Sequence, residues 1–184
     1  MCIRDRSGGG GISSSSGVTV ASSATFDISG ITSFTDITTL AGSGTVQVGA
    51  NGLVVTNAST EFSGVIADSS LGGGIQVDAG TLTLSGTSTY SGPTFVNEGA
   101  TLALKDSGSI ANSTVVLTSG LTPGTQATLD ISQTTSGTAI GGLLDFAPGG
   151  LVSLGSKTLT NHSGCRARRR HPGRRHRRGA AVAS

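Results

Sequence analysis

The sequence predicts an all-β fold, a solenoid of about seven stacked coils, and three observations carry that prediction. Apolar and polar residues alternate in short runs, and a period of two belongs to strands. The runs are punctuated by glycine, of which the chain has 30, and by Ser, Thr and Asn. Bulky groups are scarce: 184 residues include one Met, no Trp and 3% aromatics, so any core must be thin and lined with small aliphatics.

Residues 1–16 read as a disordered leader. Met1–Arg6 differs in composition from the Gly- and Ser-rich residues after it and reads as a junction or sequencing remnant. After Arg4 and Arg6 the chain enters Ser7, Gly8, Gly9, Gly10 and Gly11 with no apolar stretch, so it offers no signal peptide and an export signal is expected outside this sequence.

The strand phrase begins at Gly17-Val18-Thr19-Val20. It recurs at Gly44-Thr45-Val46-Gln47-Val48, Gly52-Leu53-Val54-Val55 and Gly80-Thr81-Leu82-Thr83-Leu84. Further copies are Gly99-Ala100-Thr101-Leu102-Ala103-Leu104, Ala127-Thr128-Leu129-Asp130-Ile131 and Gly150-Leu151-Val152-Ser153-Leu154. Counted from inward Val46, Leu82, Leu102, Leu129 and Val152, the copies lie 36, 20, 27 and 23 residues apart. The gap of 36 is read as two units, because Phe62 to Ile66 supplies another strand inside it. A unit of 20 to 27 residues suits one solenoid coil.

Such phrases must stack to be stable. Each has two or three inward aliphatics and cannot by itself offset an ordering entropy of roughly 1–2 kcal/mol per residue. Stacking buries those aliphatics against their neighbours and pairs every strand edge above and below. Helix is disfavoured, because apolar residues do not recur at i, i+3, i+4 and i+7 and because Thr, Val and Gly dominate. A β-sandwich of hairpins is the alternative, but turn pairs such as Asn51-Gly52 are scarce.

Charge divides the chain. Residues 7–164 hold nine acids against two bases, Lys105 and Lys157, a net of −7; from Cys165 onward eight Arg and no acid give +8. Cys2 and Cys165 lie outside the repetitive body, and a body without cysteine suits an exported protein. No apolar run approaches the roughly 20 residues of a membrane-spanning helix.

One stretch is more specific than the rest. Gly80-Thr81-Leu82-Thr83-Leu84-Ser85-Gly86, then Thr89-Tyr90-Ser91-Gly92, then Phe95-Val96-Asn97-Glu98-Gly99 and Leu102-Ala103-Leu104, resembles the autotransporter-associated β-strand repeat. The positions that carry the resemblance are Gly80, Leu82, Leu84, Gly86, Tyr90, Gly92, Val96, Gly99, Leu102 and Leu104. Ser88 stands where the family commonly has Asn, and Pro93 where it has a second Gly; Pro is tolerable at a corner but not inside a central strand. The resemblance covers roughly residues 61–159 well and the preceding region loosely. It implies a right-handed parallel β-helix over residues 17–161, exported by type V secretion and held at the bacterial cell surface by an outer-membrane β-barrel. No ladder of amphipathic ten-residue strands is found here, so that barrel is expected elsewhere in a parent chain.

Candidate chemistry is sparse. Enzymes on parallel β-helices need carboxylates converging on one groove, whereas the nine acids here are spread singly and all read as solvated surface. The resemblance implies a structural stalk and secretion aid, and with the acids so spread the chain is read as not an enzyme, with no cofactor and no metal. Alternation points Asp130 outward, and the Gly- and Asp-rich calcium nonapeptide does not occur. Outward Thr81/Thr83 and Thr87/Thr89 are not expected to recur in register on successive coils, so β-propensity accounts for them. The alternatives are an adhesin-like module whose Ser, Thr and Asn surface engages host or bacterial surface glycans, and, behind it, a carbohydrate-active enzyme.

The repeat phrase stops at Asn161, and residues 162–184 switch to Arg, Ala, Gly and Pro. That change reads as translation in the wrong frame. The alternative is a genuine disordered tail whose arginines would favour nucleic acid or an anionic surface. Cys165, His171 and His176 match no zinc spacing.

Overall fold

A computed structural model describes residues 17–118, 120, 125–146 and 149–162. The leader 1–16 and the tail from residue 163 lie outside the described residues, and so do the readings attached to them: a remnant at Met1–Arg6, an out-of-frame or nucleic-acid-binding Arg run, and the Cys165, His171 and His176 set.

The strands wind into seven coils. The first holds β1 (Val18–Val20), β2 (Thr25–Asp27) and β3 (Thr35–Ile37), and the second β4 (Leu40–Gly42), β5 (Thr45–Gln47) and β6 (Gly52–Val55). The third holds β7 (Glu61–Phe62), β8 (Val65–Ala67) and β9 (Gly74–Val77). From there each coil has two strands: β10 (Gly80–Leu84) and β11 (Thr94–Asn97), β12 (Ala100–Asp106) and β13 (Ile110–Thr118), β14 (Thr128–Thr134) and β15 (Thr138–Asp145), then β16 (Leu151–Ser153) and β17 (Leu159–Asn161). Face 1 is the seven-stranded sheet β1-β4-β7-β10-β12-β14-β16. Face 2 is the three-stranded sheet β2-β5-β8, and face 3 is the seven-stranded sheet β3-β6-β9-β11-β13-β15-β17.

Every described strand pairs in parallel with its counterpart one coil away. A hairpin sandwich needs antiparallel neighbours and is excluded. Strand spacing of about 4.8 Å stacks like side chains on like. Leu82, Leu102, Leu129 and Val152 form one such column on face 1, in direct register. The spacings of 20, 27 and 23 counted along the sequence are therefore the true coil lengths. On face 3 the columns are Leu53-Ile75-Thr94-Val115 and Ile37-Val55-Val77-Val96-Leu117. The apolar members of these columns belong to one continuous core, in which a fully buried aliphatic side chain contributes about 1.5–3 kcal/mol.

The gap of 36 is corrected by the fold. Val46 lies in β5 on face 2, where it pairs with Phe26 and Ile66, whereas Leu82 lies on face 1. Those two residues are not equivalent, so 36 residues is not a whole number of coils. The single strand read from Phe62 to Ile66 is in fact two, because the chain turns from face 1 to face 2 at Ser63-Gly64. A Cβ on Gly64 would sit 1.9 Å from the Gly44 carbonyl oxygen, too close for any other residue at that corner.

Face 2 fades after the third coil. In the fourth, Thr89 and Tyr90 donate their amides to the Ile66 carbonyl, and Ser88 Oγ accepts from the Ile66 amide, so irregular backbone continues the sheet without a strand. In the fifth, β13 runs nine residues with a register shift between Ile110 and Thr114 and absorbs both faces.

Candidate functional site

The stretch that resembles a known repeat occupies the middle of the rod. Leu82 and Leu84 on β10 pair in register with Leu102 and Leu104 on β12, and all four are buried. Val96 is buried between Val77 and Leu117. Gly80 and Gly99 open the two face-1 strands with φ of +75° and +78°, the left-handed region that favours glycine. Gly86 and Gly92 lie against the backbone of the coil below, where a Cβ would come within 2.1 Å of the Gly64 carbonyl and 2.2 Å of the Gly72 carbonyl. Pro93 precedes β11 at the corner, and its carbonyl accepts from the Ile75 amide at 3.1 Å.

Tyr90 is the largest fully buried side chain. Its hydroxyl lies 2.7 Å from Thr94 Oγ1, which lies 2.7 Å from Ser113 Oγ, which donates to the Gly92 carbonyl at 2.7 Å. A polar chain thus crosses the apolar interior with every member satisfied. Burial pushes the phenol up to about 12, against the smaller opposing effect of the Thr94 and Ser113 hydrogen bonds. The sequence reading named Tyr90 but neither Thr94 nor Ser113, whose polar character hides their inward positions.

Asp68 overturns the reading of all nine acids as solvated surface, since it is only 2% exposed. Its Oδ1 accepts from the Ser70 amide at 2.9 Å, and its Oδ2 from the Gly72 amide at 3.0 Å, the Ser91 amide at 2.9 Å and the Ser91 hydroxyl at 2.6 Å. Burial alone would raise this carboxyl, but the four hydrogen bonds outweigh it and hold it below the usual carboxylate range. They also fix a corner in which Ser69 and Ser70 take φ of 53° and 62°. The signal was present in the sequence: Asp68 is two residues beyond inward Ile66, and period two carries it inward.

Glu61, Asp78 and Asp130 join neighbouring coils from outside. Glu61 accepts from the Ser85 hydroxyl at 2.6 Å and from Lys105 Nζ at 2.9 Å, linking coils three, four and five. The Ser85 bond and then Lys105 lower its pKa. Asp78 Oδ1 accepts from Gln76 Nε2 and from Asn97 Nδ2, and Asn97 Oδ1 accepts from Thr118 Oγ1. At Asp130, burial raises the pKa, but hydrogen bonds from the Ser132 amide and hydroxyl and from Ser153 bring it below the usual value. Among the described residues no three of His, Cys, Asp and Glu come together to hold a metal.

The Thr81/Thr83 pair does not recur as a pair, as expected, but one of its two columns does. Thr81, Thr101 and Thr128 do recur in register on three successive coils of face 1. The next column does not repeat, since Thr83 is followed by Ala103 and Asp130. One column of three is formed, and a two-column array is not.

No curated protein and no solved structure matches this chain. A family model does: residues 70–104 match the Passenger-associated-transport-repeat. The match begins in the corner that Asp68 holds and ends on β12, so it spans the β9, β10, β11 and β12 strands just described. It agrees with the resemblance read from Gly80 to Leu104. The chain is thus a parallel β-solenoid whose residues 70–104 are similar to the Passenger-associated-transport-repeat.

Proposed function

We propose that this segment is a structural stalk of a bacterial autotransporter. In this reading it is continuous in its parent protein with an outer-membrane β-barrel, stands on the cell surface, and helps drive export as successive coils stack outside. The observation that carries the reading is the single uninterrupted core of in-register parallel coils, with the transport repeat at its centre. A coil arriving at the end of such a column finds strand edges and apolar side chains in place, so folding proceeds by addition and disfavours return. The satisfied interior chain from Tyr90 to Gly92 and the singly placed acids support a scaffold without turnover.

The test places the chain between an export signal and a reporter on one side and a β-barrel on the other, and measures reporter cleavage by external protease. Wild type is expected to display the reporter fully, and Leu102→Asp, which puts a charge into the core column, to reduce display severely. Equal display by Leu102→Asp, with its loss of structure verified by circular dichroism of the purified chain, would refute a role for coil stacking in export.

A further inference from the structure

The outward positions of the three faces differ in chemistry. On face 1 one outward column is Thr19, Ala41, Glu61, Thr83, Ala103 and Asp130, small or polar throughout, and the other, Thr81, Thr101 and Thr128, turns apolar only at Leu151 in the last coil. On face 3 the corresponding outward column contains Val54, Gln76, Phe95, Val116 and Leu144, in register on successive coils. Val54 and Val116 are themselves buried within that column, and Phe95 between them is half-buried. Phe34 at one end, 63% exposed, lines a shallow depression together with Pro93 and Phe95. At the other end Leu144 is 46% and Phe146 73% exposed. Apolar side chains therefore recur on this face from the first coil to the sixth, about 24 Å over five coil steps of about 4.8 Å, with Gln76 interrupting them in the third. Exposed apolar surface gathered along one face in this way marks an interaction site.

The charges around these side chains select the partner. Asp36 stands at their first-coil end in register with Val54, Asp78 beside their middle, and Glu98 at the corner beyond β11. The described residues hold no Arg and two Lys: Lys105 is in β12 on face 1, where it is paired with Glu61, and Lys157 lies between β16 and β17. Face 3 thus combines apolar side chains with acids and no Lys or Arg. A second copy laid on this face would bring acids against acids.

We propose that the outer surface of face 3 docks a basic, apolar-bearing polypeptide segment of another protein, its aliphatic or aromatic groups on Phe95, Leu144 and Phe146 and its Lys or Arg against Asp36 and Asp78. This goes beyond the stalk role and does not depend on it.

The experiment uses the full chain and two labelled probe peptides, alternating Leu-Lys and alternating Leu-Glu, read by fluorescence anisotropy at about 0.15 M salt, with size-exclusion chromatography and light scattering alongside. The Leu-Lys peptide is expected to bind, and Phe95→Ser/Leu144→Ser/Phe146→Ser to weaken it at least about tenfold. Asp36→Asn/Asp78→Asn, which keeps the apolar side chains, should weaken it likewise, while Thr81→Ser/Thr101→Ser on face 1 should not. Three results overturn the proposal: Leu-Lys affinity unchanged in both face-3 variants, a Leu-Glu affinity that falls equally in the apolar variant, or a wild-type dimer that the apolar variant returns to monomer.

Discussion

Asp68 Oδ2 accepts hydrogen bonds from both the amide and the hydroxyl of Ser91, at 2.9 and 2.6 Å, and thereby ties the corner of the third coil to that of the fourth. Replacing the carboxylate strips partners from three backbone amides at once, those of Ser70, Gly72 and Ser91. Asp68→Ala is expected to cost about 2–3 kcal/mol, read as a lower urea midpoint at unchanged slope. A change indistinguishable from zero would show that water replaces the carboxylate at the corner.

The same residue sets an acid limit. Its folded pKa lies below the unfolded value near 4, so its stabilisation is complete above that unfolded value and is lost as pH falls through the folded one. Between about pH 5 and pH 2 the midpoint of wild type should fall more steeply than that of Asp68→Asn. Parallel curves would assign the acid sensitivity to Glu61 and Asp130, whose pKa values are also lowered.

Tyr90 offers a spectroscopic check, being the one Tyr in the chain. Its phenol, raised to about 12, should show only about a tenth of the full phenolate absorbance at pH 11 while the rod stays folded, where a free phenol would be mostly ionised. Because the folded pKa exceeds the unfolded one, its stabilisation is complete below the unfolded value of about 10 and is lost as pH rises toward 12. Tyr90→Phe should abolish that alkaline loss and cost about 1 kcal/mol at pH 7 through the orphaned Thr94-Ser113 end of the network.

Gly80 and Gly99 separate two reasons for glycine. A Cβ at Gly99 meets nothing within 4 Å, so Gly99→Ala should cost only the left-handed backbone penalty of about 1–2 kcal/mol. At Gly80, with nearly the same φ, a Cβ would lie 2.0 Å from the Ala58 carbonyl oxygen, so Gly80→Ala should lower the melting temperature several-fold more. Equal melting temperatures would mean the coils can separate locally without cost.

Much of this architecture was legible in the residues. Alternation in Thr81-Leu82-Thr83-Leu84 and its copies gave strands, and the spacings from Leu82 to Val152 matched the face-1 register because both ends of each interval lie on the same face. Where that condition failed the count failed: Gly44-Thr45-Val46 and Gly80-Thr81-Leu82 spell the same phrase, yet the first lies on face 2 and the second on face 1. The corners at Ile28-Ile31 and Asp68-Leu71 are closed by hydrogen bonds from the Ile31 amide to the Ile28 carbonyl and from the Leu71 amide to the Asp68 carbonyl, local contacts that no alternation pattern records.

The residues alone settle that the chain forms short strands and that these cannot stand alone, because period-two alternation and a thin aliphatic supply leave stacking as the way to bury them, and the Gly80–Leu104 phrase adds the resemblance to a transport repeat. Tertiary packing alone settles which face each strand occupies, that Asp68 is buried, that Thr81, Thr101 and Thr128 align, and that Phe95, Val116 and Leu144 stack in register on face 3. Each of these depends on residues about 20 to 30 positions apart being brought to one strand spacing, and the corner angles that do so arise from packing between coils.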